Sequence, residues 1–173
     1  WEKNPAARLP MFHEGNKVEH YMDEAQLQAL LNVLRTDNNR MVCAIAMFLL
    51  STGCRLGEAL SAKWTDVDLE KRVFVIRASN SKSKKFRAVP LNDAALGVLQ
   101  SLGTKHTYDY VFPNKKTEGP YTRFGKVWER LRNKAGLPHL RLHDLRHQYA
   151  SFLVNDGRSL YEVQQILGHS NPI

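Results

Sequence analysis

Three short segments carry side chains that can hold or move charge. The first runs Ser51-Thr52-Gly53-Cys54-Arg55-Leu56-Gly57-Glu58. A Gly-x-Arg at the end of an apolar helix places a guanidinium at a helix–helix junction, with a carboxylate three residues on. Glu58 can orient Arg55 through a fork-shaped pair and leave it donors for a phosphate. The alternative is an ordinary i,i+3 ion pair worth roughly a few tenths of a kcal/mol. The second segment is Leu142-His143-Asp144-Leu145-Arg146-His147. His143 and Arg146 share a helix face, a pairing suited to a phosphoryl centre: one group moves a proton and the other holds negative charge. His143 and His147 also stand at i,i+4, a metal-ligand spacing, although Asp144 stands where a zinc protease has Glu. The third is Gln165-Ile166-Leu167-Gly168-His169-Ser170, whose histidine after a helix stop is by itself a weak signal.

Between the first two lies Arg77-Ala78-Ser79-Asn80-Ser81-Lys82-Ser83-Lys84-Lys85-Phe86-Arg87, with five basic residues and no acid. Such a hairpin tip can track phosphates. It can equally be a solvated turn whose lysines protect a sheet edge. Composition alone does not decide.

The elements that must position these groups follow from periodicity. Residues 1–20 are polar, carry Pro5 and Pro10, and read as a linker. Asp23 to Gln26 matches a capping box ahead of Leu27, Leu30, Leu31 and Leu34 at helical spacing. A helix from about Arg40 to Ser51 is apolar nearly all round and should be the buried centre, with Gly53 as its stop. A short helix is expected over Leu56 to Lys63. Val73–Ile76 and Phe86–Leu91 read as a hairpin, and Val111–Pro113 as a third short strand. Further helices are expected from Asn92 to Leu102, Tyr121 to Ala135, His143 to Asn155 and Leu160 to Leu167. The fold class is α+β, mainly α, with helices around a small antiparallel sheet.

The chain has 173 residues, enough to bury a substantial core. Hydrophobic residues make up 43% and charged residues 24%, which excludes a disordered or fibrous chain. Lys plus Arg number 25 against 17 Asp plus Glu, and the net charge of +8 favours a polyanionic partner. The longest apolar run, Met41–Leu50, is too short to span a bilayer, and no secretory signal stands at the start. Cys43 and Cys54 lack metal-type spacing and read as reduced core side chains in a cytoplasmic protein. Asp66 and Asp68 come closest to an acidic metal cluster and read as loop or cap residues.

In this order the segments resemble the catalytic domain of the tyrosine recombinases, the phage-integrase family, from about Tyr21 to the last residue. Each motif is modest alone. Thr-Gly-x-Arg-x-x-Glu, a basic hairpin ending Val89-Pro90-Leu91, His-x-x-Arg-His and Leu-Gly-His-Ser are specific in combination. The resemblance implies a bacterial or phage-encoded recombinase of the integration and excision type; chromosome-dimer resolution and a DNA-binding protein without catalysis are the alternatives. It implies roles residue by residue. Arg55, His143, Arg146 and His169 match the phosphate pocket, and Glu58 its supporting carboxylate. Lys82 matches the hairpin lysine that protonates the leaving 5′ oxygen, with Lys84 as the fallback. Arg77, Lys84, Lys85 and Arg87 are expected to contact DNA, and His147 to be structural. No cofactor or metal is implied. A nuclease using His143, His147 and Asp144 on a metal is the competing chemistry; EDTA would abolish its cleavage.

The chain departs from the family pattern in one respect. The nucleophilic tyrosine is expected C-terminal to His169, and the six tyrosines (residues 21, 108, 110, 121, 149 and 161) all lie upstream. The resemblance also implies a separate N-terminal DNA-binding domain, and residues 1–20 are expected to be the linker from it. Residues 21–173 are expected to be the catalytic domain, cut before its nucleophile. The expected partners are double-stranded DNA, three further copies in a tetramer on DNA at full length, and accessory DNA-bending proteins. The 173-residue piece itself is expected to be monomeric and to have no membrane association.

Overall fold

The structure is a computed structural model, and it describes residues 21–80, 82 and 84–158. Its helices are α1 (Glu24–Thr36), α2 (Arg40–Thr52), α3 (Leu56–Leu60), α4 (Asp93–Ser101), α5 (Gly125–Lys134) and α6 (Leu142–Asn155). Its strands are β1 (Val67–Asp68), β2 (Val73–Ile76) and β3 (Arg87–Pro90). The described residues thus form a mainly helical α+β domain.

The expected capping box starts α1. Asp23 Oδ1 accepts from the Gln26 N–H at 2.8 Å, and Gln26 Oε1 accepts from the Asp23 N–H at 3.0 Å. The turn into α2 is built from polar side chains. Asn39 caps α2 by accepting from the Val42 N–H, while Arg40 Nη1 reaches back to the carbonyls of Leu34, Arg35 and Asp37 at the end of α1. Those carbonyls have no intrahelical partner, so one guanidinium satisfies the end of one helix from the start of the next.

Helix α2 is the centre. Val42, Cys43, Ile45, Ala46, Phe48, Leu49 and Leu50 are all buried, and α1, α3, α4 and α6 pack around them. Phe48 meets Phe74 of β2 and Phe112 edge-on, with ring centroids 5.7 and 5.3 Å apart, so the helix is fixed to the sheet by aromatic contacts. Both cysteines are free and buried.

The sheet has the order β1-β2-β3, antiparallel throughout, with Phe74 opposite Val89 and Ile76 opposite Arg87. Phe74, Ile76 and Val89 are buried, which defines the face turned to α2. Cross-strand partners share a face, so the register turns Arg87 inward as well.

Several boundaries differ from the sequence reading. Strand β1 was not expected. Val111–Pro113 is no strand: Lys63 bridges Tyr110 and Pro113 bridges Pro120, and Pro113 lacks the N–H that a ladder needs. Helix α3 stops at Leu60, because the Lys63 N–H is taken by Asp66 Oδ2 in a 3-10 turn over Trp64–Asp66. Helix α5 begins at Gly125 instead of Tyr121, whose N–H is held by the Phe112 carbonyl. The helix expected over Leu160–Leu167 lies outside the described residues.

Candidate active site

The left-handed Gly53 (φ 66°) ends α2, and the chain turns at Arg55 into α3. Glu58, only 3% exposed, sits one turn into α3 and is the centre of the site. Its Oε2 accepts from the Arg55 N–H at 2.8 Å and its Oε1 from Arg55 Nη1 at 3.1 Å. Arg87 adds a two-pronged pair, Nη1 to Oε1 at 2.8 Å and Nη2 to Oε2 at 3.0 Å. The fork expected of Arg55 is therefore made by Arg87. Arg55 gives Glu58 its backbone and one guanidinium nitrogen, and its side chain keeps 24% of its surface exposed.

Arg146 enters from α6. It is 4% exposed and donates Nη1 to the Gly53 carbonyl at 2.7 Å, tying α6 to the α2–α3 turn. Burial, and after it the charges of Arg55 and Arg87, push its pKa down to about 10. It stays charged at neutral pH. Its anchor on Gly53, two residues before Arg55, brings it to the turn that carries Arg55 and Glu58. Burial alone would raise the Glu58 pKa; the Arg87 fork and the Arg55 N–H outweigh it and hold the carboxyl below its ordinary value. Two guanidinium groups thus share one carboxylate with a third, Arg146, held nearby on the Gly53 carbonyl, a concentration of positive charge suited to an anion.

His143 lies one turn before Arg146. Its ring packs edge-on against that of His147 at 4.8 Å between centroids. Shielding of part of the ring, then the charges of His147, Arg146 and Arg141, lowers its pKa, so the neutral imidazole dominates at neutral pH. Asp144 is buried and taken up by the Arg141 N–H at 2.8 Å and the Arg141 Nη2 at 2.9 Å. Among the described residues no group of three or more His, Cys, Asp or Glu is placed to hold a metal.

The basic hairpin divides in two. Lys82, Lys84 and Lys85 are exposed at its tip, where Lys84 has a left-handed backbone (φ 55°). Arg77 and Arg87, expected on DNA, form ion pairs at its base. Arg77 Nε bonds Asp66 Oδ1 at 2.6 Å, and Arg87 holds Glu58. Asp66 and Asp68 cap local turns, as read from sequence. Tyr149 is buried and its phenol pKa is raised by that burial, in keeping with a packing residue. His169 lies outside the described residues.

The profile of the phage integrase family matches residues 20–172. The integrase of Salmonella phage P22 is 31% identical over 178 residues, 96% of this chain and 44% of that protein. Tyrosine recombinase XerC of Bacillus licheniformis is 29% identical over 185 residues, 98% of this chain and 60% of that protein. In structure, the XerH site-specific recombinase bound to a palindromic difH substrate, in a post-cleavage complex, superposes with a TM-score of 0.74 at 28% identity. That match covers 92% of this chain and 49% of XerH. The arginine-rich site therefore sits on the catalytic-domain fold of the tyrosine recombinases. The chain belongs to the phage integrase family, and it spans about half the length of the relatives it matches.

Proposed function

We infer that this chain is the phosphate-handling part of a site-specific DNA recombinase that works without metal. The observation that carries this reading is the sharing of one buried carboxylate, Glu58, by Arg55 and Arg87, with Arg146 beside them and His143 one helical turn away. Such a cluster of fixed donors stabilises charge growing on the non-bridging oxygens of a phosphodiester under attack, because the donors are already oriented before the reaction.

A tyrosine phenol C-terminal to His169 gives its proton to the neutral imidazole of His143 as its oxygen attacks the phosphorus. The O–P bond forms as the P–O5′ bond breaks. The hairpin lysine, Lys82 or Lys84, gives its proton to the 5′ oxygen, which leaves as a hydroxyl. Arg55 and Arg146, with His143 and His169 as donors, hold the non-bridging oxygens. The 3′-phosphotyrosyl bond conserves the energy of the broken linkage, and attack by a new 5′ hydroxyl reverses the step on an exchanged strand. Residues 1–20 are the linker to an N-terminal DNA-binding domain, the reaction runs on cellular DNA in the cytoplasm, and four copies assemble on it. The 173-residue piece alone is a monomer that binds duplex DNA weakly.

The test uses the full-length protein and a nicked duplex carrying its recombination site, incubated in EDTA and run on a denaturing gel. A band shifted by the mass of the protein is expected, and a peptide map then names the tyrosine. Bound DNA with no adduct would leave a binding protein that lacks the reaction. Cleavage that EDTA abolishes would move the chemistry to a metal.

A further inference from the structure

The β2–β3 hairpin is clamped on both sides of its base. On the outgoing side Arg77 gives Nε to Asp66 at 2.6 Å and Nη2 to Thr65 Oγ1 at 3.1 Å. On the returning side Arg87, paired in register with Ile76, forks onto Glu58. Between the two clamps stand the lysines of the tip, Lys82, Lys84 and Lys85, all exposed. Side chains exposed on a tip have little packing of their own to fix them, so the place they reach is set at the base.

The two clamps differ in what they grip. Asp66 belongs to the turn before β1. Glu58 also holds the Arg55 N–H and guanidinium, so the strand that returns from the tip lysines and the arginine of the phosphate pocket meet on one carboxylate. The Arg87 side chain is 9% exposed and opposes Ile76 on the inner face of the sheet. A planar fork on a carboxylate fixes orientation in a way that a point charge cannot.

We propose that Arg87 is a positioning residue: its fork on Glu58 sets the tip lysine at the leaving-oxygen side of the phosphate that Arg55 holds. This rests on the recombinase reading above, and it replaces a DNA contact as the role of Arg87.

The test compares two nicked duplexes that differ in one atom, oxygen or sulfur at the bridging 5′ position of the scissile phosphate. A thiolate leaves without taking a proton, so sulfur makes up for a misplaced general acid but not for lost charge in the phosphate pocket. In the full-length protein, Arg87→Met is expected to slow adduct formation on the oxygen substrate by about 100-fold. Sulfur should return it to within about fivefold of the wild-type rate, and Lys82→Ala or Lys84→Ala, whichever removes the acid, should share that pattern. Arg87→Lys should be slowed less and be rescued in the same way. A folded Arg87→Met with wild-type rates, or with equal losses on both substrates, would overturn the proposal; equal losses would assign Arg87 to the pocket itself. If Arg87→Met melts below the assay temperature, Arg87→Lys on the same pair decides by the same criterion. A wild-type protein that forms an adduct with neither duplex would overturn the recombinase reading, and this proposal with it.

Discussion

Glu58 is under opposing demands: burial favours its neutral form, and the arginines around it favour the anion and win. The substitution Glu58→Gln keeps the shape and removes the charge, leaving Arg55, Arg87 and Arg146 to repel one another. It is expected to destabilise the domain by about 3 kcal/mol, the order found when one partner of a buried ion pair is removed. Because the remaining site is an unneutralised anion trap, sulfate should raise the melting temperature of the variant more than that of the wild type. Equal sulfate effects on the two proteins would show that Glu58 does not neutralise the cluster. Arg146→Ala acts on the reaction instead. In the full-length protein it should lower the adduct rate by about 100-fold or more while duplex affinity, measured by gel shift, stays within a few-fold of wild type. Much of this site was legible from residue types alone, since Gly-x-Arg-x-x-Glu and His-x-x-Arg name four of its members. The inward fork of Arg87 on Glu58 is what residue types alone do not convey. The signal that places it was present: Val89 of β3 packs inward, and two residues back along a strand is the same face. Within a run of five basic residues, charge obscured that period.

The turn between α1 and α2 shows what spacing cannot convey. Asp37 is buried, and Arg130 of α5 grips it at 2.6 and 2.8 Å from 93 positions away, while the Asn39 N–H bonds it from within the turn. No local pattern links residues so distant in sequence; the packing of α1 on α5 creates the pair. The Arg130 hydrogen bonds, with that of Asn39, hold the Asp37 carboxyl well below the usual carboxylate range despite its burial. A depressed folded-state value means that stability from Asp37 is fully present above the unfolded value of about 3.9 and is lost as pH falls below it. Asp37→Asn is therefore expected to cost about 2 kcal/mol at pH 7, the order for hydrogen bonds to a charged group. The difference from wild type should shrink as the pH is lowered from 4 toward 2. Urea midpoints of the two proteins across that range measure it, and a difference independent of pH would show that the carboxylate charge contributes nothing. The missed start of α5 has the same origin: Tyr121 fits a helical period, but its N–H is bound to Phe112 before that period can be used.

At the scale of the whole molecule, the net charge of +8 spreads over the chain, so it cannot by itself say where a polyanion sits. Pairing and burial sort the candidates. Arg77 and Arg87 are bound to carboxylates, Arg55 shares Glu58 with Arg87, and Arg146 is buried against the Gly53 carbonyl, whereas Lys82, Lys84 and Lys85 stand exposed on the hairpin tip. A cation already paired with a carboxylate releases no counterion from DNA when the duplex arrives, while an exposed lysine that meets a phosphate does. Salt dependence therefore counts the second kind and passes over the first. Replacing the three tip lysines by Gln should make the slope of log K against log salt shallower by about one for each lysine that meets a phosphate, so by at most about three. Arg77→Gln, by the same reasoning, should leave the slope unchanged, although it loosens the base of the hairpin. Titrations of a labelled duplex from 50 to 200 mM salt, a range over which phosphate contacts govern affinity, separate the two. A steeper loss for Arg77→Gln than for the lysine variant would place the DNA path along the base of the hairpin, and it would take Lys82, Lys84 and Lys85 off the duplex.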